Sequence, residues 1–239
     1  MEFIIQKSII PGIIILAAIL SYALKKIDFY GAFTGAILAM IIWFGGRLDS
    51  LFSLFLFFIF GSFATSWKKD LKSQYKLVQE NDAKRGISNV LANAGIAGIL
   101  SIVALIKPDY QNLIILMIIA GFATACSDTL SSELGNVYGK KFFNILTLKP
   151  STRGLDGTIS IPGLWFGIIG SLLIALGTFP FHNDYKRMLI ITVSGFSGNI
   201  LDSVLGATLQ QRGYINNHQV NFLATLFGSL FCLLLFILF

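Results

Sequence analysis

Residues 111–129 read QNLIILMIIAGFATACSDT, and this stretch decides the class of fold. No charged residue precedes Asp128 in it. A helix needs about 20 predominantly apolar residues to cross the hydrocarbon core of a bilayer. The stretch therefore predicts a membrane-spanning helix that carries a carboxylate near one of its ends.

The composition of the whole chain agrees with this prediction. Of the 239 residues, 55% are hydrophobic and 13% are charged, and the mean hydropathy is +0.76. Soluble domains carry about 25% charged residues, so the composition excludes a water-soluble globule. No linker-like stretch divides the chain. We therefore predict an all-α, polytopic membrane helix bundle that forms a single domain over residues 1–239.

The chain contains about eight apolar segments of the kind that span a membrane. The second and third segments are short, and a single tight hairpin is an alternative for them. The first segment does not resemble a cleavable signal peptide, because Lys25 and Lys26 follow its apolar run instead of preceding it. The predicted segments are roughly 3–24, 31–46, 51–66, 87–106, 111–129, 158–178, 187–205 and 219–239.

The basic residues predict the orientation of these segments. With eight spans, 13 of the 18 Lys and Arg residues fall on one side of the membrane. Loops on the cytoplasmic side carry the excess of positive charge, so we expect loops 67–86 and 130–157 to be cytoplasmic and both termini to be outside. The Lys and Arg residues of the loops on the cytoplasmic side explain the positive net charge of +6. The expected location is the cell (inner) membrane.

Four acids lie in or next to apolar segments at the predicted cytoplasmic face: Asp128, Glu133, Asp156 and Asp202. An ionisable side chain at the centre of a membrane helix costs about 2.5–3.5 kcal/mol on insertion scales, so its presence indicates function by default. The alternative for any single acid is that it caps a loop or pairs with a nearby Lys or Arg.

A candidate internal repeat relates two of these acids. Gly121-Phe122 precedes Asp128 by the same spacing that separates Gly195-Phe196 from Asp202. If the repeat is real, the fifth and seventh predicted helices present their aspartates at matching depth. Substrate sites of membrane proteins tend to lie between such repeats.

Basic, amide and hydroxyl side chains surround the acids in sequence. The stretch KPSTRGLDGT, residues 149–158, combines glycines and basic residues at the predicted start of the sixth helix, where free N–H groups suit a phosphate. It lacks the Walker A pattern, and an ordinary turn is the alternative. The candidate binding residues are Lys84, Arg85, Asn89, Asn93, Ser132, Lys149, Arg153, Gly154, Gly157, Ser160, Asn199 and Ser203.

Acids and basic residues at a lipid–water boundary, without a nucleophile–base pair, favour magnesium-dependent phosphoryl transfer. This chemistry depends on positioning and on charge neutralisation rather than on covalent catalysis. Carboxylates would hold Mg²⁺, and Lys and Arg side chains would bind phosphates.

Four motifs resemble one known family over roughly residues 30–239. They are RGISNVLAN at 85–93, SDTLSSELG at 127–135, GLDGTIS at 154–160 and GNILDSVLGA at 198–207. The chain resembles the integral membrane family catalogued as domain of unknown function ninety-two. That family includes the plastid phytyl-phosphate kinase, and it has a distant likeness to the CTP-dependent polyprenol and dolichol kinases.

The resemblance implies transfer of a phosphoryl group from a nucleoside triphosphate, CTP or ATP, to an isoprenoid monophosphate lipid. It implies that Asp128, Asp156 and Asp202 hold Mg²⁺ and that Glu133 is an additional ligand or an outer partner of these acids. Lys84, Arg85, Lys149 and Arg153 would then bind phosphates, and Asn89, Asn93 and Asn199 would orient them. The expected partners are the substrate lipid, the nucleotide and membrane lipids, with no nucleic acid.

Two other functions remain open from the sequence. One is a different lipid-phosphate enzyme, either a CTP-dependent nucleotidyltransferase or a prenol kinase in which one acid is the general base. The other is a cation-coupled transporter or channel with intramembrane carboxylates. The position of the acids at one face, rather than across the membrane, favours an enzyme.

Overall fold

The computed structural model describes residues 2–75 and 85–239, and in the first stretch it describes side chains from Ile9 onwards. Most of the described chain is helical. The helices are α1 (Glu2–Ala23), α2 (Phe29–Ser66), α3 (Lys69–Gln74), α4 (Ile87–Ile106), α5 (Gln111–Tyr138), α6 (Ile161–His182), α7 (Tyr185–Leu205) and α8 (Asn217–Leu238). A short 3₁₀ turn, Pro108–Tyr110, precedes α5, and a π-helical turn, Gly206–Gln210, follows α7. Two short strands, β1 (Phe143–Asn144) and β2 (Thr158–Ile159), pair antiparallel in the loop between α5 and α6.

The prediction of a membrane helix bundle is confirmed. Within the described residues, six helices are long and apolar enough to cross a membrane: α2, α4, α5, α6, α7 and α8. In α1, Ile9–Ala23 is a shorter apolar stretch.

The long helix α2 is a hairpin and not a single rod. Arg47 has φ 61° and ψ −170°, which interrupts the helix. Gly31 and Gly61 both lie against Arg85, although a straight helix would separate them by about 45 Å. The arms before and after Arg47 therefore run in opposite directions and correspond to the predicted second and third segments. With α1, they bring the number of spans to about eight, as the sequence predicts.

Helix α5 forms the centre of the bundle. It packs against α2, α4, α6, α7 and α8, and its side chains from Ile114 to Ser127 are buried. Small residues permit this close packing, as is common between membrane helices. A Cβ atom on Gly135 would lie 2.7 Å from the Cα atom of Gly163, so α5 and α6 are in backbone contact there.

The helix ends gather at two faces of the bundle. One face carries residues 24–28, α3, the loop 139–160 and residues 211–216, and we call it the basic face. At the opposite face, the Arg47 side chain donates to Asn112 at 3.3 Å, and His182 Nε2 lies 3.6 Å from Asp49. This arrangement agrees with the predicted alternation of the loops, while the cytoplasmic location of the basic face remains a prediction.

Two predicted boundaries are wrong. Helix α5 does not end near Asp128 but continues to Tyr138, so the first part of the predicted loop 130–157 is helical. Helix α6 begins at Ile161 instead of residue 158, because Thr158 and Ile159 belong to β2.

Candidate active site

A cavity of about 590 Å³ opens at the basic face. Its walls are formed by α3, by the loop 139–160 and by parts of five longer helices. These parts are the arm of α2 after Arg47, the first turns of α4 and α8, and the last turns of α5 and α7. Most of the predicted site residues line it, namely Arg85, Asn89, Asn93, Asp128, Ser132, Glu133, Gly154, Asp156, Gly157, Ser160, Asn199, Asp202 and Ser203.

Two of the predicted acids meet at the inner end of this cavity. The carboxyl groups of Asp128 on α5 and Asp202 on α7 are close enough to hydrogen-bond to each other. The charge of Asp156 also acts on Asp202. The two helices therefore present their aspartates at the same depth, as the candidate repeat predicts.

The loop before α6 brings Asp156 to this pair. Gly154 and Gly157 have φ values of 78° and 69°, which favour glycine, and they flank the acid. Gly157 lies directly against Ala207 in the π-helical turn, where no Cβ atom would fit. The Gln211 side chain donates to the Asp156 carbonyl oxygen. Partial desolvation raises the pKa of the Asp156 carboxyl above its ordinary value.

The aspartate pair fits a divalent cation better than the predicted trio does. No group of three His, Cys, Asp or Glu side chains converges closely enough to hold a metal ion within residues 2–75 and 85–239. Mg²⁺ is commonly bound through one or two carboxylates, with substrate phosphates and water completing its octahedron. Asp128 and Asp202 supply two carboxylates in contact, and a cation between them would relieve their mutual repulsion.

Arg85 presents an uncommitted guanidinium to the cavity. Its Cζ atom lies 5.6 Å and 5.8 Å from the ring centroids of Phe57 and Phe58. Its side chain forms no hydrogen bond or ion pair with any residue that the structure describes. Desolvation lowers the pKa of Arg85, and the charge of Glu133 opposes this shift. An arginine with this environment remains charged and keeps its donors for a ligand.

Glu133 is bound to another side chain of the protein. Its Oε2 atom lies 2.6 Å from Lys72 Nζ. Lys72 is buried, and it also donates to the carbonyl oxygens of Ala64 (3.0 Å) and Thr65 (2.6 Å) in the last turn of α2. Because α5 continues through this region, Asp128 and Glu133 point in different directions. Glu133 therefore ties α3 and α2 to α5.

Three predicted phosphate-binding residues are not among the side chains that the structure places around the cavity. Arg153 donates to the carbonyl oxygens of Asn136 (2.7 Å) and Gly139 (2.9 Å) and stacks on Tyr75. It therefore caps the end of α5, whose last carbonyls lack intrahelical partners. Lys149 is exposed beyond the cavity in the turn before β2. Lys84 lies outside the described residues.

Several cavity side chains already have partners in the protein. Ser160 accepts from Gly163 N at 3.2 Å and thereby caps α6, so its hydroxyl and this N–H group are bound to each other. Ser132 donates to the Asp128 carbonyl oxygen at 2.9 Å. Asn93 donates to the Asn89 carbonyl oxygen, also at 2.9 Å.

The structure adds cavity residues that the sequence analysis did not select: Lys25, Lys26, Lys69, Lys72, Gln210, Asn217 and Asn221. Asn217 and Asn221 repeat on α8 the i, i+4 spacing of Asn89 and Asn93 on α4, and this pattern was available in the sequence. Nothing distinguished Lys72 from its basic neighbours, because its burial depends on how α3 folds back onto α5.

The described cavity walls differ in charge. Every Lys and Arg among the described lining residues comes from positions 25–85. The opposite wall, from residues 154–221, contains Asp156 and Asp202 and is otherwise uncharged, with several amide and hydroxyl side chains. An anionic group would therefore bind between the basic wall and a cation held by the acids.

Comparison with known proteins relates the chain to a protein family. The family described as Integral membrane protein DUF92 matches residues 12–229 of the sequence. The uncharacterized membrane protein MJ0933 of Methanocaldococcus jannaschii is 31% identical over 226 residues, which cover 93% of this chain and 92% of that protein.

Two further relatives come from photosynthetic organisms. The uncharacterized membrane protein sll0875 of Synechocystis is 31% identical over 196 residues, or 81% of this chain and 76% of that protein. The chloroplastic protein VTE6 of Arabidopsis thaliana is 27% identical over 186 residues, or 75% of this chain and 56% of that protein. No solved structure shows significant similarity to the chain.

Proposed function

We propose that this chain, which belongs to the DUF92 family of integral membrane proteins, transfers a phosphoryl group from a nucleoside triphosphate to an isoprenoid monophosphate. The reaction takes place in the cavity at the basic face. CTP is the favoured donor and ATP the alternative, in keeping with the resemblance of the sequence motifs to phytyl-phosphate kinase.

The presence of Arg85 and the aspartate pair in one cavity is the observation that carries this proposal. The Arg85 side chain forms no hydrogen bond or ion pair with a described residue, and it lines the same cavity as Asp128 and Asp202. A guanidinium presents a planar fork of donors that matches phosphate oxygens. Carboxylates in contact are suited to a divalent cation. A phosphate held between Arg85 and a cation bound to the aspartates would have its negative charge neutralised from both sides.

The acceptor explains why the cavity needs no strong base. A phosphate monoester has a second pKa of about 6, so its oxygen is already anionic near neutral pH. This oxygen attacks the γ-phosphorus of the nucleotide while the bond from that phosphorus to the β-phosphate oxygen breaks, and the nucleoside diphosphate leaves. No histidine lines the cavity within the described part of the chain, and this mechanism requires none.

Different residues of the cavity bind the phosphates, orient them and hold the cation. Arg85 and the lysines of the basic wall other than Lys72 bind and neutralise the phosphates, and the amides of Asn89 and Asn93 orient them. Asp128 and Asp202 would hold Mg²⁺, which when bound neutralises charge on the phosphate oxygens. The lipid tail of the acceptor would extend from the cavity into the surrounding bilayer, so that only the phosphate has to enter the polar site.

Phosphate transfer in detergent tests this function. Purified protein is incubated with Mg²⁺, radiolabelled CTP or ATP, and phytyl or geranylgeranyl monophosphate. We expect a labelled prenyl diphosphate from the wild type and none from Asp128→Asn. Arg85→Lys keeps the charge but loses the fork, and we expect kcat/KM to fall about 10- to 100-fold, as for loss of a charged hydrogen bond worth about 1.5–3 kcal/mol.

The control is Asn112→Ala, which removes an amide at the opposite face and should leave transfer unchanged. Failure of the folded wild type to form the diphosphate with any of these donors and acceptors would refute the kinase assignment. A CDP-lipid product would instead identify a nucleotidyltransferase.

A further inference from the structure

Helix α8 carries two asparagines in its first turns, Asn217 and Asn221. The second lies inside a helix that is long and apolar enough to cross a membrane. Polar side chains in such helices usually face the bundle interior and have a function there. Both asparagines line the cavity, and neither has a role in the proposed function as stated so far.

The Asn221 amide links α8 to the aspartate pair. In the orientation that satisfies its neighbours, its nitrogen donates to the Asn217 carbonyl oxygen at 2.9 Å and to Asp202 Oδ2 at 3.2 Å. The first bond holds the side chain against its own helix. The second bond occupies one carboxylate oxygen of Asp202.

Helix α4 contains the same arrangement of two asparagines four residues apart. The Asn93 amide donates to the Asn89 carbonyl oxygen at 2.9 Å, so it too is held by the residue four positions earlier. Both helices begin at the basic face, and they pack together where the Thr225 hydroxyl reaches the Ala92 carbonyl oxygen at 3.5 Å. The two helices thus present amides of fixed orientation to one cavity, and the amide of α8 contacts an acid.

We propose that Asn221 is a positioning residue that fixes the Asp202 carboxylate for divalent-cation binding. The bond from the Asn221 amide to Oδ2 would restrict rotation of the Asp202 carboxylate beside Asp128 and so hold it ready for a cation. Outer partners of this kind orient metal-binding carboxylates, and their loss typically weakens metal affinity 10- to 100-fold. This inference rests on the proposed function, because it takes Asp202 as a ligand.

Direct binding of Mn²⁺, used as a spectroscopic substitute for Mg²⁺, tests the inference without catalysis. Free Mn²⁺ is measured by electron paramagnetic resonance during titration of the purified protein in detergent. Asn221→Leu keeps the approximate volume and removes the donor. We expect its apparent dissociation constant for Mn²⁺ to rise at least tenfold, and Asn221→Gln to recover part of the loss. The matched control, Asn112→Leu at the opposite face, should bind Mn²⁺ as the wild type does.

Kinetics provide the second measurement. In the phosphate-transfer assay, the Mg²⁺ concentration for half-maximal rate should rise in Asn221→Leu by a similar factor, while KM for the lipid phosphate stays within about twofold of the wild-type value.

A purely structural role would lower the melting temperature and leave both metal constants unchanged, and that result would overturn the inference. A wild type that transfers phosphate but binds Mn²⁺ no better than Asp202→Asn would also overturn it, without affecting the kinase assignment. A folded wild type with neither activity nor Mn²⁺ binding would overturn both.

Discussion

At the scale of single residues, the site depends on which side chains remain free. Arg85 and Lys72 are both basic residues at the cavity. The Lys72 ammonium group makes three short contacts with protein oxygens, whereas the Arg85 guanidinium makes none with a described residue. A committed cation stabilises the fold, whereas an uncommitted one is available to a ligand. The same distinction separates Glu133, which Lys72 binds, from Asp128 and Asp202.

Asp156 predicts a pH dependence of stability. Desolvation raises its pKa in the folded state, so the folded protein binds this proton more tightly than the unfolded chain does. The associated stability is fully present below the unfolded pKa of about 3.9 and is lost as the pH rises through the folded value. Asp156→Asn removes this titration. We therefore expect the melting temperature of the variant, relative to the wild type, to increase from pH 4 to pH 7.

Thermal unfolding in detergent at several pH values measures this effect. Asp109→Asn, an exposed acid at the opposite face, is the control for removing one negative charge. A difference between Asp156→Asn and the wild type that is independent of pH would contradict the prediction.

At the scale of elements, the glycine turn before α6 holds Asp156 through contact with the end of α7. Gly157→Ala should disrupt this contact, because the residue has φ 69° and lies against Ala207. Gly213 provides a matched control, since it has φ 75° but no heavy atom within 4 Å of an added Cβ. Both alanine variants pay the strain of positive φ, about 1–2 kcal/mol. Only Gly157→Ala should also lose most phosphate transfer, which the diphosphate assay measures. Equal effects of the two variants on activity would show that the contact is unimportant.

The ion pair between α3 and α5 should matter for stability. Lys72→Met removes a buried cation and leaves Glu133 without its partner. Breaking a fully buried pair costs about 3–5 kcal/mol, and we expect about 2–3 kcal/mol here because the Glu133 side chain is 27% exposed. Melting temperatures measure the loss. The double variant Lys72→Met/Glu133→Leu should recover part of it, and no recovery would argue against direct pairing.

Hydrophobic length and charge placement were sufficient to predict the membrane helices, the hairpin alternative for α2 and the grouping of the acids. The end of α5 was misplaced because a polar stretch can continue a helix beyond the apolar layer, and composition alone does not show where it stops. The sequence predicts that Arg153 binds phosphate because it is a basic residue in a glycine-containing loop at the predicted start of the sixth helix. Its partners at the end of α5 become visible only when the loop is folded. Contacts between distant segments, such as Asn221 with Asp202, have no local signal.

At the scale of the whole molecule, the helices place the polar site at one end of an apolar bundle. This arrangement predicts two chemically distinct sides. Both native cysteines are buried, so new cysteines at exposed positions can be labelled selectively. We expect a membrane-impermeant maleimide to label Asp109→Cys from outside intact cells. Thr152→Cys, in the loop at the basic face, should react only in inverted membrane vesicles. The reverse pattern would show that the basic face is extracytoplasmic, and labelling of both from one side would contradict the helix arrangement itself.

The division of the cavity between its two walls has a consequence for biogenesis. The cations that line it come from residues 25–85, the acids from 128–202 and the orienting amide from position 221. A ribosome delivers these parts to the membrane in that order. During synthesis the early helices therefore carry the basic residues of the site before the acids that line the cavity have emerged. The nascent chain can attract anions at this stage but lacks the means to carry out chemistry on them. If Asn221 positions Asp202 as proposed, the site gains its full affinity for a divalent cation only after the last helix has been inserted.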